Sequence, residues 1–342
     1  MAREILNRII QGESLSSDEA TELMERMMDE EFTPIQLGAL LVALRAKGET
    51  AEEVVGFART MRSRARQIEV DVALADTCGT GGDGLGTFNI STAAALIVAG
   101  AGQPVAKHGN RAASGRCGSA DVLEELGVDV ALPPEGVARC IERAGIGFLF
   151  APAFHPAMKF AAVPRRELGV RTVFNLLGPL SNPARPSFQL VGVSSVDLLD
   201  LIAAALLQLG VERALVVHSH EGADEISIAG PTAVREVRNG ELRAYDVVPE
   251  DFGLPRAAAD AMRGGDAATN ATILSQLLDG AGGAARDAAV INAGAALYAA
   301  RRAADLAAGA RLAERSLDSR AARDALDRLR ATSREARAES AV

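Results

Sequence analysis

Apolar residues in the first 65 positions recur with the spacing of one helix face. Ala20, Leu23, Met24, Met27 and Met28 form one such stripe. Three segments carry the polar residues that begin helices: Ser16 with Glu19, Thr33 with Pro34 and Gln36, and Thr50 with Glu53. This pattern predicts a small, all-helical N-terminal domain over residues 1–66.

From about residue 70 the pattern changes to short β-rich runs that alternate with helices, as in an α/β sheet. The predicted strands are residues 70–75, 105–107, 148–150, 188–193, 214–218 and 225–229. The predicted helices are residues 92–101, 119–126, 134–144 and 196–209, and helices return after residue 270. An Asn-Gly pair predicts a hairpin between 234–237 and 242–247, at the edge of the sheet or off it. We expect a larger α/β domain over residues 70–342, with a mostly parallel central sheet flanked by helices.

Charge and cysteine content narrow the classes of function. The chain has 36 Lys and Arg against 45 Asp and Glu, a net charge of −9, which disfavours a general binder of nucleic acid or of anionic membranes. No apolar run approaches the roughly 20 residues that cross a bilayer. Three cysteines without a CxxC pair form neither a disulfide framework nor a zinc ligand set. We expect a soluble protein of the reducing cytoplasm.

The most informative segment is the glycine-rich run 76–84, which follows a predicted strand and leads to a helix start. Gly79, Gly81 and Gly84 satisfy the G-x-G-x-x-G spacing of dinucleotide-binding folds. That motif also needs an acidic residue about 20 positions later, and no Asp or Glu occurs between 84 and 120. The spacing favours instead a phosphate cradle of backbone amides, with a plain tight turn as the alternative.

The acid-free stretch 84–120 contains Lys107, Arg111 and Arg116, so it is a basic island in an acidic chain. The run 107–111 follows a predicted strand, and α/β sheets bind ligands at that end of their strands. Two anion-binding loops after successive strands predict a ligand with more than one phosphate. A solvated basic loop is the alternative.

Asp224 and Glu225 are adjacent carboxylates that follow the predicted strand 214–218. Neighbours on a strand point to opposite faces, so both reach one site only if the backbone turns there or if two ions are bound. Hard oxygen ligands beside a phosphate cradle favour Mg²⁺, and a surface acidic pair is the alternative. The four histidines lack zinc-ligand spacing, and no G-x-S-x-G elbow is present.

Eight runs of sequence carry a collective pattern. They are GTGGDG at 79–84, NIST at 89–92, KHGNR at 107–111, GSADVLEELG at 118–127, FHPAMK at 154–159, RRELGVRTVFNLLGPLSNP at 165–183, DEIS at 224–227 and INAGAALY at 291–298. This pattern closely resembles the anthranilate phosphoribosyltransferase family over nearly the whole chain. The resemblance implies a homodimeric enzyme of tryptophan biosynthesis that joins anthranilate to phosphoribosyl pyrophosphate (PRPP) and releases pyrophosphate. It also implies a small helical domain, joined by helices from about 165–182, beside a larger α/β domain.

Carried over by motif, the resemblance assigns site residues in this chain. PRPP would be held by Gly79, Gly82, Asp83, Thr87, Asn89, Ile90, Ser91, Thr92, Lys107, His108, Gly109, Asn110, Arg111, Ala112, Ala113, Ser114, Gly115 and Ser119. Magnesium would be bound by Ser91, Asp224 and Glu225, and anthranilate would be contacted by Gly79, Asn110 and Arg165. The expected catalytic residues are Lys107, Asn110 and Arg111. The two cations would neutralise the departing pyrophosphate, and Asn110 would help to hold the amine in line.

Two other functions remain open from the sequence. A relative of the pyrimidine nucleoside phosphorylases would share the glycine loop and the lysine, but it normally needs an additional C-terminal domain. A noncatalytic relative that binds nucleic acid would keep the fold and should be basic, which the net charge of −9 opposes. We therefore expect the two small molecules as partners, and neither nucleic acid nor a membrane.

Overall fold

The computed structural model describes residues 2–112 and 116–340 of the 342-residue chain. The helices are α1 (Ala2–Ile10), α2 (Ser17–Met28), α3 (Pro34–Lys47), α4 (Ala51–Arg64), α5 (Ile90–Gly100), α6 (Ser119–Glu125), α7 (Pro134–Ala144), α8 (Ala151–Phe154), α9 (Ala162–Leu168), α10 (Leu198–Gln208), α11 (Ala267–Leu278), α12 (Ala284–Ala299), α13 (Leu306–Asp318) and α14 (Ala321–Ser340). The strands are β1 (Ala75–Gly79), β2 (Val105–Gly109), β3 (Ile146–Phe150), β4 (Phe188–Gly192), β5 (Arg213–Ser219), β6 (Thr232–Arg238) and β7 (Glu241–Val247). Short 3₁₀ helices cover Pro156–Ala161, Val173–Asn175, Pro249–Phe252 and Ala259–Met262. Over these described ranges, every helix is too short or too polar to cross a membrane.

Helices α2, α3 and α4 begin where the sequence predicts. Ser16, Thr33 and Thr50 each accept a hydrogen bond from the backbone N–H three residues on, and the side chain at that position accepts one in return. These reciprocal bonds satisfy backbone donors that the first turn of a helix leaves open. The three predicted helix starts are confirmed.

The central sheet has seven strands in the order β3-β2-β1-β4-β5-β6-β7. Strands β1 to β5 run parallel, and β6 and β7 form an antiparallel hairpin at one edge. Asn239 and Gly240 both have positive φ in the hairpin turn, 53° and 78°, as an Asn-Gly turn requires. The predicted hairpin and the mostly parallel α/β class are both confirmed.

Two hydrophobic cores lie on opposite faces of the sheet. Leu190 and Leu215 pack with the core that contains α5 and α12, whereas Val191 and Val216 pack with the core that contains α10 and the N-terminal helices. This division follows from the alternation of side chains along a strand. Apolar residues of the segment 173–180 also belong to the second core, so that segment packs with the N-terminal helices.

The strand predicted at 225–229 is wrong. Its alternating Ile226 and Ile228 are buried, but the segment forms a turn. The amide of Asn292 accepts from the Ile226 N–H at 2.9 Å and donates to the Ile226 carbonyl at 3.1 Å. Side-chain bonds of this kind replace the strand ladder that a buried backbone otherwise needs. The alternation of buried residues was therefore a poor guide to strand pairing here.

The first strand begins five residues later than predicted, at Ala75 instead of at residue 70. Its residues include the polar Asp76 and Thr77, which are both fully buried. The sequence prediction followed the apolar run before them. A strand whose polar groups find buried partners does not carry the usual apolar signature.

The topology creates a crevice at β1. The chain runs from β1 outward through β2 and β3, and then returns to place β4 on the other side of β1. Ligands of open α/β sheets bind at such a switch point, outside the carboxyl ends of the strands. Strands β1, β2 and β4 end at Gly79, Gly109 and Gly192, and Gly79 is paired with Gly192. The crevice is thus bordered by glycines.

Candidate active site

A loop rich in glycine leaves the carboxyl end of β1. Four of its glycines have φ between 60° and 82°: Gly81, Gly82, Gly84 and Gly86. Residues with a Cβ rarely adopt this left-handed conformation. The loop is tied to the neighbouring strand, because the Thr80 N–H donates to the Gly192 carbonyl at 2.9 Å. Residues 79–86, the glycine-rich loop, are thus anchored at the crevice.

Asp224 and Glu225 reach this loop from the segment between β5 and β6. Asp224 Oδ2 accepts a hydrogen bond from the Gly81 N–H at 2.9 Å. Glu225 Oε1 accepts one from the Ser91 N–H at 3.1 Å, in the first turn of α5. Both carboxylates reach one site because the backbone turns at this point. The structure brings Asp224, Glu225 and Ser91 together.

These carboxylates repel one another in surroundings that exclude much of the water. Burial, and then the charge of Asp83, raise the pKa of Asp224 to about 6. Burial and the charge of Asp224 raise the pKa of Glu225 well above its ordinary value, against the effect of Lys107. Asp83 Oδ2 is buried and has no hydrogen-bond partner within residues 2–112 and 116–340. A bound cation would relieve this repulsion.

The oxygen atoms at this site fit Mg²⁺. In the part of the chain that the structure describes, no three His, Cys, Asp or Glu side chains are grouped as a complete set of metal ligands. Mg²⁺ usually binds through only one or two carboxylates and takes its other ligands from water and substrate phosphates. Asp224, Glu225 and the Ser91 hydroxyl can supply the protein oxygens of such a site.

Lys107 lies beneath the carboxylates and is only 2% exposed. Its ammonium group donates to the Thr77 carbonyl at 2.5 Å and to the Ser91 hydroxyl at 3.4 Å. Burial lowers the pKa of Lys107, while Asp76, Cys78 and Glu225 oppose that shift. A buried ammonium group with these neighbours contributes positive charge to the crevice from behind Ser91.

Asp76 connects β1 with β2 and with the segment before β4. Its two carboxylate oxygens accept from the His108 N–H at 3.3 Å and from the Asn182 amide at 2.9 Å. The His108 ring is hydrogen-bonded through Nδ1 to the Gly178 carbonyl at 3.0 Å. His108, assigned to PRPP from the sequence, is therefore engaged in this buried network. Sequence reasoning did not single out Asp76 or Asn182 as site residues, since nothing in the pattern shows which polar residues are buried.

His155 packs against His108, with ring centroids 5.2 Å apart. Burial, and then the charge of His108, lower the pKa of His155 from 6.5 to about 3. Between these values the unfolded chain binds more protons than the native protein, so stability falls as the pH drops through this window and is fully present above pH 6.5.

Replacing His155 with Gln is expected to flatten the acid side of the stability profile. The slope of the unfolding free energy against pH should fall by up to about 1.4 kcal/mol per pH unit below pH 6.5. Denaturant unfolding followed by circular dichroism between pH 7 and pH 4 measures this slope. His220→Gln is the control, because His220 is exposed and lies 3.3 Å from Asp246. Equal slopes for wild type and His155→Gln would remove His155 as the source of acid sensitivity.

Asn110 and Arg111 follow β2, beside the start of α6. The Asn110 carbonyl accepts from the Ser119 hydroxyl at 3.3 Å. The guanidinium of Arg111 pairs with Glu124 at 2.5 Å and with Asp121 at 3.1 Å. Two carboxylates thus balance the charge of Arg111, a pairing that sequence reasoning did not foresee. Of the neighbouring residues assigned to PRPP, Ala112 donates its N–H to Asp121 at 3.0 Å, and Ala113, Ser114 and Gly115 lie outside the described residues.

Arg165 and Arg171 lie on either side of the end of α9. Arg165 stacks on Phe174, 5.4 Å from the ring centroid, and burial lowers its pKa. Arg171 instead reaches the glycine-rich loop and donates to the carbonyls of Gly81 at 2.7 Å and Thr80 at 3.1 Å. Sequence reasoning assigned Arg165 and missed Arg171, although both belong to the same run of the family resemblance.

The remaining predicted residues lie around the start of α5. Asn89, next to the helix, accepts from the Asn270 amide at 2.8 Å and donates to the Cys117 carbonyl at 3.3 Å. Asn270 is a further residue that sequence reasoning missed. Of three other predicted residues, Ile90 is buried, Thr87 forms an antiparallel bridge with Arg263, and the hydroxyl of Thr92 is buried without a partner among the described residues.

The fold and this site together define a glycosyl transferase with two domains. Residues 3–65 match the family described as "Glycosyl transferase family, helical bundle domain". Residues 71–323 match "Glycosyl transferase family, a/b domain".

Curated and structural relatives define the family more narrowly. The chain is 55% identical over 330 residues to the anthranilate phosphoribosyltransferase of Desulforudis audaxviator, covering 96% of this chain and 95% of that protein. The crystal structure of anthranilate phosphoribosyltransferase from Thermus thermophilus has a TM-score of 0.92 at 48% identity, covering 96% of this chain and 99% of that one. The Saccharomyces cerevisiae enzyme in complex with PRPP and Mg has a TM-score of 0.89 at 25% identity, and the match covers 98% of both chains. The chain belongs to the anthranilate phosphoribosyltransferase family.

Proposed function

We propose that this protein transfers the phosphoribosyl group of PRPP to the amine of anthranilate. The products are N-(5-phosphoribosyl)anthranilate and pyrophosphate, in the second step of tryptophan synthesis from chorismate. The observation that carries the proposal is the convergence of Asp224, Glu225 and the glycine-rich loop at the switch point of the sheet. The yeast relative, with the same fold, has a solved structure in complex with PRPP and Mg.

The glycine-rich loop and the start of α5 would bind the pyrophosphate part of PRPP. Glycines without side chains let phosphate oxygens approach backbone N–H groups closely. Asp224, Glu225 and Ser91 would hold Mg²⁺ at the same place. When bound, the metal neutralises charge that develops on the departing pyrophosphate.

The reaction is a displacement at the anomeric carbon with an oxocarbenium-like transition state. Lys107 supports the departure of pyrophosphate by its positive charge behind Ser91, which needs no rearrangement of the side chain. Arg111 would exchange Glu124 and Asp121 for phosphate oxygens, because its planar fork suits both kinds of partner. The aromatic amine is weakly basic, so the mechanism assigns no dedicated general base.

Arg165 would bind the carboxylate of anthranilate through paired hydrogen bonds. Asn110 and Gly79 would hold the amine in line with the anomeric carbon. Arg171 contributes indirectly, since its bonds to Thr80 and Gly81 hold the glycine-rich loop against the segment that carries Arg165.

The direct test is the loss of anthranilate fluorescence when the purified protein is mixed with PRPP, with and without Mg²⁺. Rapid, metal-dependent loss is expected. If anthranilate fluorescence does not fall at any protein concentration while calorimetry still detects PRPP binding, the phosphate site stands and anthranilate is rejected as the acceptor. Phosphorolysis of pyrimidine nucleosides, measured in the same preparation, tests the related alternative.

We further propose that two copies of the chain associate through α3 and α9. Helix α3 has one apolar stripe in the core, and a second stripe on its outer face made of Ile35, Gly38, Ala39 and Val42. Ile35 is 85% exposed, and Pro164 and Leu168 of α9 extend the same groove. Exposed apolar surface of this kind marks an interface, and the small residues allow two helices to approach closely. A second copy of this chain would supply the matching stripe.

Charges on the outer stripe of α3 are expected to separate the copies. In the double variant Ile35→Asp and Val42→Asp, sedimentation should give the mass of one chain, 35.5 kDa, where the wild type gives twice that value. The control is Val196→Asp, because Val196 is 55% exposed but lies on the α/β part of the chain. A dimer that persists in the double variant would place the interface elsewhere.

We propose, finally, that residues 1–66 and about 165–182 form one helical domain, and that residues 70–342 form the α/β domain. Residues 173–180 share a core with the N-terminal helices, and α10 and one face of the sheet close the same core, so the two proposed domains meet there. Closure of the helical domain over the crevice would exclude water from the reaction. The three cysteines are all free thiols, which agrees with a cytoplasmic location.

A further inference from the structure

A second cavity lies at the amino ends of the parallel strands, whereas the glycine-rich loop lies at their carboxyl ends. Its walls come from α4, from the turn 185–187 before β4, and from residues 208–212 at the end of α10. The cavity has a volume of about 490 Å³. It borders the amino ends of β4 and β5, whereas the candidate active site lies at the carboxyl ends. The two ends of a five-residue parallel strand are roughly 16 Å apart.

Three arginines from two separate parts of the chain line this cavity: Arg59, Arg62 and Arg185. Arg62 is nine-tenths buried, and only its Nε has a protein partner among the described residues, the Leu180 carbonyl at 2.7 Å. Burial and the charge of Arg185 lower the pKa of Arg62 to about 10. The cavity therefore concentrates positive charge within an acidic protein.

The acidic side chain in the cavity wall does not neutralise this charge. Glu212 is the one carboxylate among the lining residues, and it lies 3.6 Å from Arg301, outside the cavity. Arg59 donates to the Ser17 hydroxyl, a neutral partner, at 3.0 Å. The three arginines of the wall thus lack a carboxylate of their own in the described part of the chain.

The turn that carries Arg185 is held in an unusual backbone conformation. Arg185 has a φ of 47°, in the left-handed region that residues with a Cβ rarely adopt. Asn182 fixes this turn, because its carbonyl accepts from the Arg185 N–H at 3.1 Å and its side chain accepts from the Ala184 N–H at 2.9 Å. These bonds hold the backbone in place and so fix the position of Arg185 at the cavity.

We propose that this cavity binds a small organic oxyanion with two negative charges, of the phosphomonoester class. Planar guanidinium groups pair with phosphate oxygens through two parallel hydrogen bonds, and Ser187, which lines the same cavity, carries a hydroxyl that can donate a further one. The volume exceeds that of a phosphate group and falls in the range of small-molecule sites, so it leaves room for an organic part. Gln208 also lines the cavity and offers an acceptor for a hydroxyl group of that part.

The ligand would connect the two parts of the molecule. Arg59 and Arg62 belong to the N-terminal helices, while Arg185 and Ser187 lead into a strand of the sheet. Binding would therefore favour one relative arrangement of these parts over others, whatever reaction the protein catalyses.

The test is protection of individual arginines from phenylglyoxal, mapped by mass spectrometry of peptides from the full-length protein. Inorganic phosphate and glycerol 3-phosphate are expected to slow the modification of Arg59 and Arg185 at least threefold. Acetate at the same ionic strength should not. Arg64 is the internal control, since it lies on the same helix, is exposed, and faces Asp29 at 3.0 Å.

Calorimetry with glycerol 3-phosphate on matched variants completes the test. Arg59→Gln combined with Arg185→Gly should weaken this binding event at least tenfold, and glycine accepts the left-handed backbone of that turn. Arg64→Gln combined with Arg320→Gly is the control. Arg320 also has a positive φ, 64°, and neither arginine is among the residues that line the cavity. Equal protection by acetate, equal protection of Arg64, or equal affinity in both double variants would overturn the proposal.

Discussion

Replacing Asp224 with Asn and Glu225 with Gln together is expected to lower kcat/KM for PRPP by about three orders of magnitude. The amides keep the oxygen that accepts from the Gly81 and Ser91 N–H groups, but they remove the charge that binds Mg²⁺. Loss of one electrostatic group at a developing charge costs roughly 10² to 10³ in rate. The loss of anthranilate fluorescence, followed over a range of Mg²⁺ concentrations, measures the effect.

The same double variant is expected to remain folded. The native pKa of Asp224 is raised to about 6, and that of Glu225 is raised well above its ordinary value. At pH values between the unfolded and the native pKa of these two groups, the native protein binds more protons than the unfolded chain. The metal-free protein therefore loses stability as the pH rises through this range. Neutral side chains remove this cost, and the thermal midpoint without metal should not fall.

Glu221→Gln is the matched control, since Glu221 is an exposed carboxylate three residues before Asp224. It should leave both kcat/KM and the Mg²⁺ dependence unchanged. If the double variant kept wild-type activity with the same Mg²⁺ requirement, Asp224 and Glu225 would not belong to the metal site.

Replacing Gly192 with Ala is expected to have the second-largest effect. A Cβ at this position would overlap the backbone carbonyl oxygen of Asp224, which cannot move as the end of a side chain can. The turn that carries Asp224 and Glu225 must then shift away from β4. We expect a loss of about 1–3 kcal/mol in the free energy of unfolding, and a fall of about 10² in kcat/KM, the cost of misplacing a site by roughly 1 Å.

Gly178→Ala is the control for this change. A Cβ at Gly178 meets no heavy atom within 4 Å, and the residue does not have a positive φ. Unfolding by denaturant and the fluorescence assay should both give values close to wild type for this control. If Gly192→Ala retained full activity, close contact with β4 would not be what holds the acidic pair in position.

Local signals in the sequence were sufficient for several elements. The capping residues Ser16, Thr33 and Thr50 and the turn residues Asn239 and Gly240 act within three or four residues of themselves. Their backbone preferences are therefore readable without the rest of the chain. The alternation of strands and helices after residue 70 likewise predicted the α/β class.

Contacts between distant segments were not readable in this way. Ile226 is hydrogen-bonded to Asn292, 66 positions later, and this bond converts a predicted strand into the turn that directs Asp224 and Glu225 to one site. Arg171 is 90 residues from the loop that it holds. No local preference of any of these residues encodes its partner.

The sequence by itself determined the helical start of the chain, the α/β class, the glycine-rich loop and, through its motifs, the family. Glycine and capping residues restrict the backbone locally, so their effects survive without tertiary context. Only the tertiary structure decided that Lys107 is buried behind Ser91, that Arg111 is paired with Glu124, and that a cavity lined by arginines lies at the amino ends of β4 and β5. Burial and charge pairing depend on which distant segments the fold packs together, and that is a property of the whole chain.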